Sequence, residues 1–255
     1  MTVTDVNVVK SAIFERPDDA NKGTLGSLLC VCGSYGMAGG AVMSAKGALR
    51  TGIGLAKCAL PRSIYPIVAQ TILESVYYPL SENADGRISK VNVPFLVSES
   101  CKSSATLVGC GLGVCDDTLK IVFSLIENST TPLVLDADAL NCVAKQPEIL
   151  LRKKVPIIIT PHPGEMSRLT GLATPLVNAE RERVALDFAQ KYGVVTVLKG
   201  AGTVIASPNG KVLVNPTGNS GMATGGSGDV LAGMTASILA QGASAFSSAA
   251  AAVYL

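Results

Sequence analysis

The 255-residue sequence predicts an α/β fold in three layers: a mostly parallel central sheet with helices on both faces and a small antiparallel hairpin addition. Three observations predict it. Short runs of β-branched and aliphatic residues recur between Gly and Pro, stretches with helical spacing lie between them, and the rhythm breaks once, late, at a turn flanked by two short runs. Continuous rather than alternating apolar runs mark strands buried on both faces. Strand–helix alternation asks for parallel strands joined by right-handed crossovers.

In chain order, LLCVCG from Leu28 is the first strand, GAVMSAKGALRTG from Gly40 a helix and IGLAKCAL from Ile53 the second strand. ATLVG from Ala105 is a strand, DDTLKIVFSLIEN from Asp116 a helix, and PLVLDAD from Pro132 and VPIIIT from Val155 are strands. NAERERVALDFAQKYG from Asn178 is a helix with a charged face and a stop at Gly193, and VVTVLKG from Val194 is the next strand. After Lys199, GTVIASPNGKVLVNP places two short runs around Pro208-Asn209-Gly210, a hairpin signal. DVLAGMTASILAQG from Asp229 is a helix. SAFSSAAAAVYL, from Ser244, is a second and apolar one that stops at Leu255 without a basic last turn, so the domain is expected to lack its natural C-terminal end. No linker, charge block or repeat divides the chain, which reads as one domain over 1–255.

Composition narrows the function classes. The 21 Lys plus Arg nearly balance 19 Asp plus Glu, with no basic stripe carrying interleaved aromatics, which argues against a nucleic-acid partner. Charged residues are 16%, well under the usual ~25%, and hydrophobic residues 48%; disorder is excluded, and surface covered by further subunits, a homo-oligomer taken as a tetramer, is expected. The N-terminus lacks the basic-then-apolar pattern of a secretory signal, and no run reaches the ~18 apolar residues of a membrane span. Seven cysteines in such a chain read as reduced thiols and a cytoplasmic location. Cys30-x-Cys32 and Cys110-x4-Cys115 lack paired CxxC spacing and there is one histidine, so structural zinc is not expected.

The chemistry points to Asn215–Gly233, where six of nineteen residues are glycine and the segment runs into a helix. Backbone N–H groups of Gly225, Gly226, Ser227 and Gly228, at the positive end of a helix dipole, form a hole for an oxyanion or phosphoryl group. Asp229 has two readings: a helix cap, or a general base taking the proton of a hydroxyl as its oxygen attacks phosphorus. Lys199-Gly200-Ala201-Gly202-Thr203 follows a strand and is either a Gly-rich reversal with a solvated Lys or a nucleotide-binding loop. It is not a Walker A sequence, and SYGMAGG is not a Rossmann fingerprint, which disfavours hydride transfer. Asp138 and Asn141, after PLVL, read as a cap or supporting polar groups, and Asp136 as structural.

Gly-Ser-Gly-Asp at 226–229, opening a late helix after an α/β series, resembles the ribokinase-like superfamily of small-molecule kinases. With SYGMAGGA from Ser34, VGCGLG from Val108, DADAL from Asp136, TPHPGE from Thr160, KGAGT from Lys199 and the stretch Asn219–Gly233, the chain resembles the ADP/ATP-dependent NAD(P)H-hydrate dehydratase family from about Lys22 to Leu255. The pairing of TPHPGE with GGSGDVLAG carries the resemblance; GxGD alone is weak.

The resemblance implies a ribokinase-like sandwich and a repair reaction, in which (S)-NADHX or (S)-NADPHX is dehydrated to NADH or NADPH at the expense of ADP, with ATP as the alternative and Mg²⁺ on the nucleotide phosphates. It implies Asp229 as the base, contacts from Ala41, Gly113, His162 and Asp229 to the hydrated dinucleotide, and Lys199–Thr203 with Gly228 around the adenine nucleotide. Without the resemblance, Ala41 and Gly113 read as a helix start and a tight turn, and His162 as a packed or solvated imidazole. Glu165 is expected near the metal through water, and an NAD(P)HX epimerase as a separate partner protein. Two alternatives stand beside this reading: a ribokinase-like kinase of a hydroxymethylpyrimidine or thiazole alcohol, and a non-catalytic nucleotide-binding protein.

Overall fold

Nine strands form one sheet in the order β3-β2-β1-β4-β5-β6-β7-β8-β9 in this computed structural model, which describes residues 3–13 and 15–255. The strands are β1 (Ser27–Val31), β2 (Leu55–Pro61), β3 (Val76–Leu80), β4 (Ala105–Val108), β5 (Leu133–Leu135), β6 (Ile157–Ile159), β7 (Val195–Leu198), β8 (Val204–Ala206) and β9 (Val212–Val214). All pairings through β7 are parallel, and β7–β8 and β8–β9 are antiparallel, the hairpin expected around Gly210.

Successive strand residues face opposite cores, as the pleat requires. Leu29 and Val31 of β1 join one core with Leu133, Leu135, Ile157 and Ile159, while Leu28 and Cys30 join the other with Val134 and Ile158. The first core is closed by α4 (Val93–Cys101), α5 (Asp116–Asn128), α6 (Asp138–Val143), α7 (Pro163–Thr170), α8 (Thr174–Ala179) and α9 (Arg181–Tyr192). The second is closed by α2 (Ala38–Arg50), α3 (Tyr65–Thr71), α10 (Ser227–Ala240) and α11 (Ala245–Tyr254); α1 (Val6–Ala12) packs on α10 and α11. α2 and α10 approach closely because small residues line their seam, Gly47 lying against the Val230 carbonyl.

The helix read from Asn178 is α9, which starts later, at Arg181: Asn178 and Ala179 close α8, Glu180 leaves helical geometry (φ −125°, ψ 40°), and α9 runs to Tyr192 with Gly193 as its left-handed cap (φ 63°). The helix read from Asp229 begins earlier, at Ser227, which puts the glycine turn inside its first turn. β3, α1, α3, α4, α6, α7 and α8 carry no strong sequence signal. No helix among the described residues is long and apolar enough to cross a membrane.

Candidate active site

Strand order reverses between β1 and β4, and ligands of open α/β sheets bind beyond the carboxyl ends of strands at such a point. The loops leaving these strands are tied together: the Gly33 amide donates to the Cys110 carbonyl at 2.8 Å and the Ser34 hydroxyl to the Gly111 carbonyl at 2.8 Å. Ala41, in the first turn of α2, is buried beside Gly33 and shapes the floor of this crevice. The Gly113 amide donates to Asp138 Oδ2 at 2.8 Å, while Asp138 Oδ1 accepts from Asn141, whose own oxygen accepts from Arg168 Nε at 2.9 Å. Asp138 and Asn141 thus tie the Gly113 turn to α6 and α7, the supporting role read for them.

The start of α10 forms the second wall. Gly226 is its N-cap in left-handed conformation (φ 95°), and Ser227 spends its hydroxyl on the Met222 and Thr224 carbonyls at 2.8 and 3.2 Å, which fixes the loop. Gly225 is exposed and Gly226, Ser227 and Gly228 are half-buried. Of the four amides expected to form the anion hole, that of Ser227 is taken, donating to the Thr224 carbonyl at 3.5 Å, which leaves the amides of Gly225, Gly226 and, in the first turn of α10, Gly228 to meet an anion. Asp229 follows, half-buried. Burial pushes its carboxyl above the ordinary Asp range, contact with the Cys110 thiol works against that, the Asp136 carboxylate adds to it and the Lys199 ammonium opposes it.

Beneath this turn lies a set of groups from four different strand ends. Asp136, just past β5, is 1% exposed; its Oδ1 accepts from Lys199 Nζ at 2.7 Å and from Thr160 Oγ1 at 2.7 Å, and Cys110 Sγ stands 3.8 Å from Oδ2. Lys199, just past β7, also lies 3.9 Å from Glu165 Oε2. Burial pushes the ammonium pKa down, but the Asp136 and Glu165 carboxylates outweigh it and hold it above the ordinary Lys value. Gly228 sits directly over this pair: a β-carbon there would stand 3.3 Å from Lys199 Nζ and 3.9 Å from Asp136 Oδ2. The next residue after Asp136, Ala137, has φ 50° and ψ −116°, the one positive φ at a non-glycine residue among those described.

His162 and Glu165 form a reciprocal cap on α7. His162 Nδ1 accepts from the Gly164 and Glu165 amides at 3.0 and 3.3 Å, and Glu165 Oε2 accepts from the His162 amide at 2.8 Å. The imidazole side chain is 50% exposed. Burial, then Lys199 and Arg168, keeps its pKa below the ordinary His value, so at neutral pH the ring is uncharged with Nδ1 accepting. Burial drives Glu165 the other way, up to about 7, against the pull of Lys199.

Of the residues read from sequence, Asp229, Gly228 and Lys199 come together in one cluster around Asp136, with Glu165 and His162 on its α7 side. Gly200, Ala201, Gly202 and Thr203 turn away along the hairpin: Thr203 Oγ1 closes the turn on the Gly200 carbonyl at 2.9 Å, and the Arg181 guanidinium, donating to the Leu198 carbonyl at 2.8 Å, lies against Gly200. Lys199 is not a solvated cation, its side chain being only 18% exposed and paired with Asp136. Asp136, read as structural, is the centre of the buried network. Its signal was available: a carboxylate just after a fully apolar strand is costly to bury unless paired.

A mostly parallel α/β sheet with a glycine-led helix start and an acidic residue over a buried cation defines a ribokinase-like protein. The chain belongs to the NAD(P)H-hydrate dehydratase family, whose model matches residues 28–255. It is 38% identical over 233 residues to a bifunctional NAD(P)H-hydrate repair enzyme of Moorella thermoacetica, covering 91% of this chain and 44% of that protein. It is 35% identical over 243 residues to an ADP-dependent (S)-NAD(P)H-hydrate dehydratase of Neisseria meningitidis, covering 94% and 78%. A crystal structure of the ADP/ATP-dependent NAD(P)H-hydrate dehydratase of Bacillus subtilis, co-crystallized with ATP/Mg²⁺, superposes with TM-score 0.83 at 31% identity, covering 98% of this chain and 85% of that one. The chain spans less than half the length of the bifunctional relatives it matches.

Proposed function

We propose that this chain dehydrates the S epimer of hydrated NADH and NADPH at the expense of ADP, returning the reduced dinucleotide with AMP and phosphate. The observation that carries the reading is that Asp229, the amides of Gly225, Gly226 and Gly228 and the Lys199 ammonium gather at the carboxyl ends of the strands, by the switch point of the sheet. Family membership and the activity named for the Neisseria relative support it.

Hydroxide is a poor leaving group, so the ring hydroxyl at C6 must first become a phosphate ester. Asp229 takes the hydroxyl proton as the oxygen attacks the terminal phosphorus of the nucleotide and AMP departs. The amides of α10 and Lys199 beneath them stabilise the charge on the transferring group. The ring nitrogen lone pair then expels phosphate, and loss of the C5 proton closes the double bond. Ala41, Gly113 and His162 are the contacts proposed for the hydrated dinucleotide, and Lys199–Thr203 with Gly228 those for the adenine nucleotide.

The donor set tests how a metal could sit here. Cys110, Asp136 and Asp229 offer ligand atoms within 4.8 Å of one another, but one is a thiol and Asp136 already holds Lys199, whereas Mg²⁺ asks for an octahedron of oxygens. Both Glu165 oxygens face His162, and Oε2 also faces Lys199, which leaves Glu165 a contact through water. These residues fit a Mg²⁺ carried by the nucleotide phosphates, where it would neutralise their charge, rather than an all-protein cage.

We read residues 1–255 as one domain. A homo-oligomer, taken as a tetramer, is supported by exposed apolar side chains such as Leu73, Ile67 and Val91, and a cytoplasmic location by seven unpaired thiols. An epimerase that interconverts the two hydrates is the expected partner activity. Incubating the protein with (S)-NADHX or (S)-NADPHX and either ADP or ATP tests the reading: absorbance at ~340 nm, the signature of the reduced nicotinamide, should return. No return with either nucleotide overturns it.

A further inference from the structure

Asp136 takes no part in the reaction as written above, yet the site is built around it. Its carboxylate binds Lys199 and Thr160 through Oδ1, and its Oδ2 faces Cys110 and the underside of Gly228. A buried ion pair gives little net stability, since apolar residues of similar volume often serve as well or better. Stability alone therefore does not explain a carboxylate at 1% exposure. The backbone around it is held under strain: Ala137 occupies a conformation that costs about 1–3 kcal/mol and persists only where the surroundings enforce it. Across the sheet, Gly109 (φ 128°) is pressed against the Asp136 carbonyl so closely that a β-carbon would overlap it. This strained corner sends Asp136 to the floor of the pocket and Asp138 to the Gly113 amide.

We propose that Asp136 is a positioning residue for phosphoryl transfer: it anchors the Lys199 ammonium beneath the glycine turn and sets its own carboxylate within 4.8 Å of that of Asp229. The proposal rests on the reading of Asp229 as general base. Asp229 faces the Cys110 thiol from the end of β4 as a hydrogen-bond partner, and feels the charges of Asp136 from the end of β5, Lys199 from the end of β7 and Asp138 from α6. Glu165 faces Lys199, and the His162 ring lies on the same side, both from α7. Asp136 disfavours the ionised form of Asp229 and Lys199 favours it. Replacing Asp136 by a neutral residue removes the first influence and leaves the second, so Asp229 becomes a weaker base.

The test compares wild type with Asp136→Asn and Asp136→Ser, each first shown to keep the wild-type amide spectrum, the serine variant standing in where the asparagine variant does not fold. Two readouts are taken: the carbon-13 titration of the Asp229 carboxyl in ligand-free protein, and the pH profile of kcat/KM with the hydrate and ADP. The Asp229 titration and the acid limb of the profile should both move to lower pH, with kcat at pH 7 reduced about tenfold or more, on the scale of lost transition-state stabilisation. Thr160→Val, which removes a hydrogen bond from Asp136 but not its charge, should leave the Asp229 titration near that of wild type. An Asp229 titration unmoved in the folded Asp136 variants, or moved upward, overturns the proposal. If the wild type itself does not turn over the hydrate, the dehydratase reading falls, and the ligand-free titration still decides whether Asp136 controls Asp229.

Discussion

Gly228 and Lys199 meet face to face: a β-carbon at 228 would stand 3.3 Å from the ammonium, at the turn where the first amides of α10 open to the pocket. Gly228→Ala should therefore push Lys199 away from the turn. Weaker nucleotide binding, measured by titration calorimetry, with little change in unfolding temperature is the expected outcome; unchanged affinity would show that the ammonium is not part of the nucleotide site.

Asp229→Asn keeps size and hydrogen-bonding shape but cannot take a proton. Folding and nucleotide binding should persist while turnover falls by about a hundredfold or more, the scale of a missing general base. A near-native rate would remove Asp229 from the reaction; the cap role that the sequence also allowed is filled by Gly226, with no side-chain capping bond from Asp229.

At His162, cap and ligand contact can be separated. Asn is a strong N-cap and should preserve the bonds to the Gly164 and Glu165 amides, whereas Ala loses them at a cost of about 1 kcal/mol. Both changes remove the ring. KM for the hydrate should rise in both variants, with stability to urea lowered only in the alanine one; an unchanged KM in His162→Asn would make the imidazole a cap and nothing more.

Glu165 predicts a pH signature in stability. Its folded pKa of about 7 lies above the ordinary value of 4.5, so between these limits the native state binds more protons than the unfolded state. By linkage, stability then falls as pH rises from about 4.5 through about 7. Glu165→Gln can still accept from the His162 amide but has no charge to bury. Its stability relative to wild type should rise between pH 5 and pH 8 in denaturant titrations; a difference independent of pH would refute the shift.

Much of this was legible in the residues because the relevant physics is local. Continuous aliphatic runs gave the central strands, Gly193 gave a helix stop, and Pro208-Asn209-Gly210 gave the hairpin. Gly225–Asp229 pointed to a helix start, and α10 begins at Ser227. What stayed hidden depends on distance in sequence. Lys199 and Asp136 are 63 residues apart, and nothing in KGAGT or DADAL says that one neutralises the other. β3 leaves no clear signal since VYYPL is a half-exposed edge strand with a proline and no clean pattern, and the start of α9 is hard to read because the break at Glu180 is a backbone choice with no proline or glycine to mark it.

Cys110, Asp136, Thr160 and Lys199 each stand one or two residues beyond a different strand of the sheet, β4, β5, β6 and β7. No single loop holds the set, and a slip of one residue in any of the three intervening pairings would swing a member of it to the opposite face. Chemical competence is thereby a checksum on assembly, silent in every partly zipped or misaligned form and restored only when four separate stretches have docked in register.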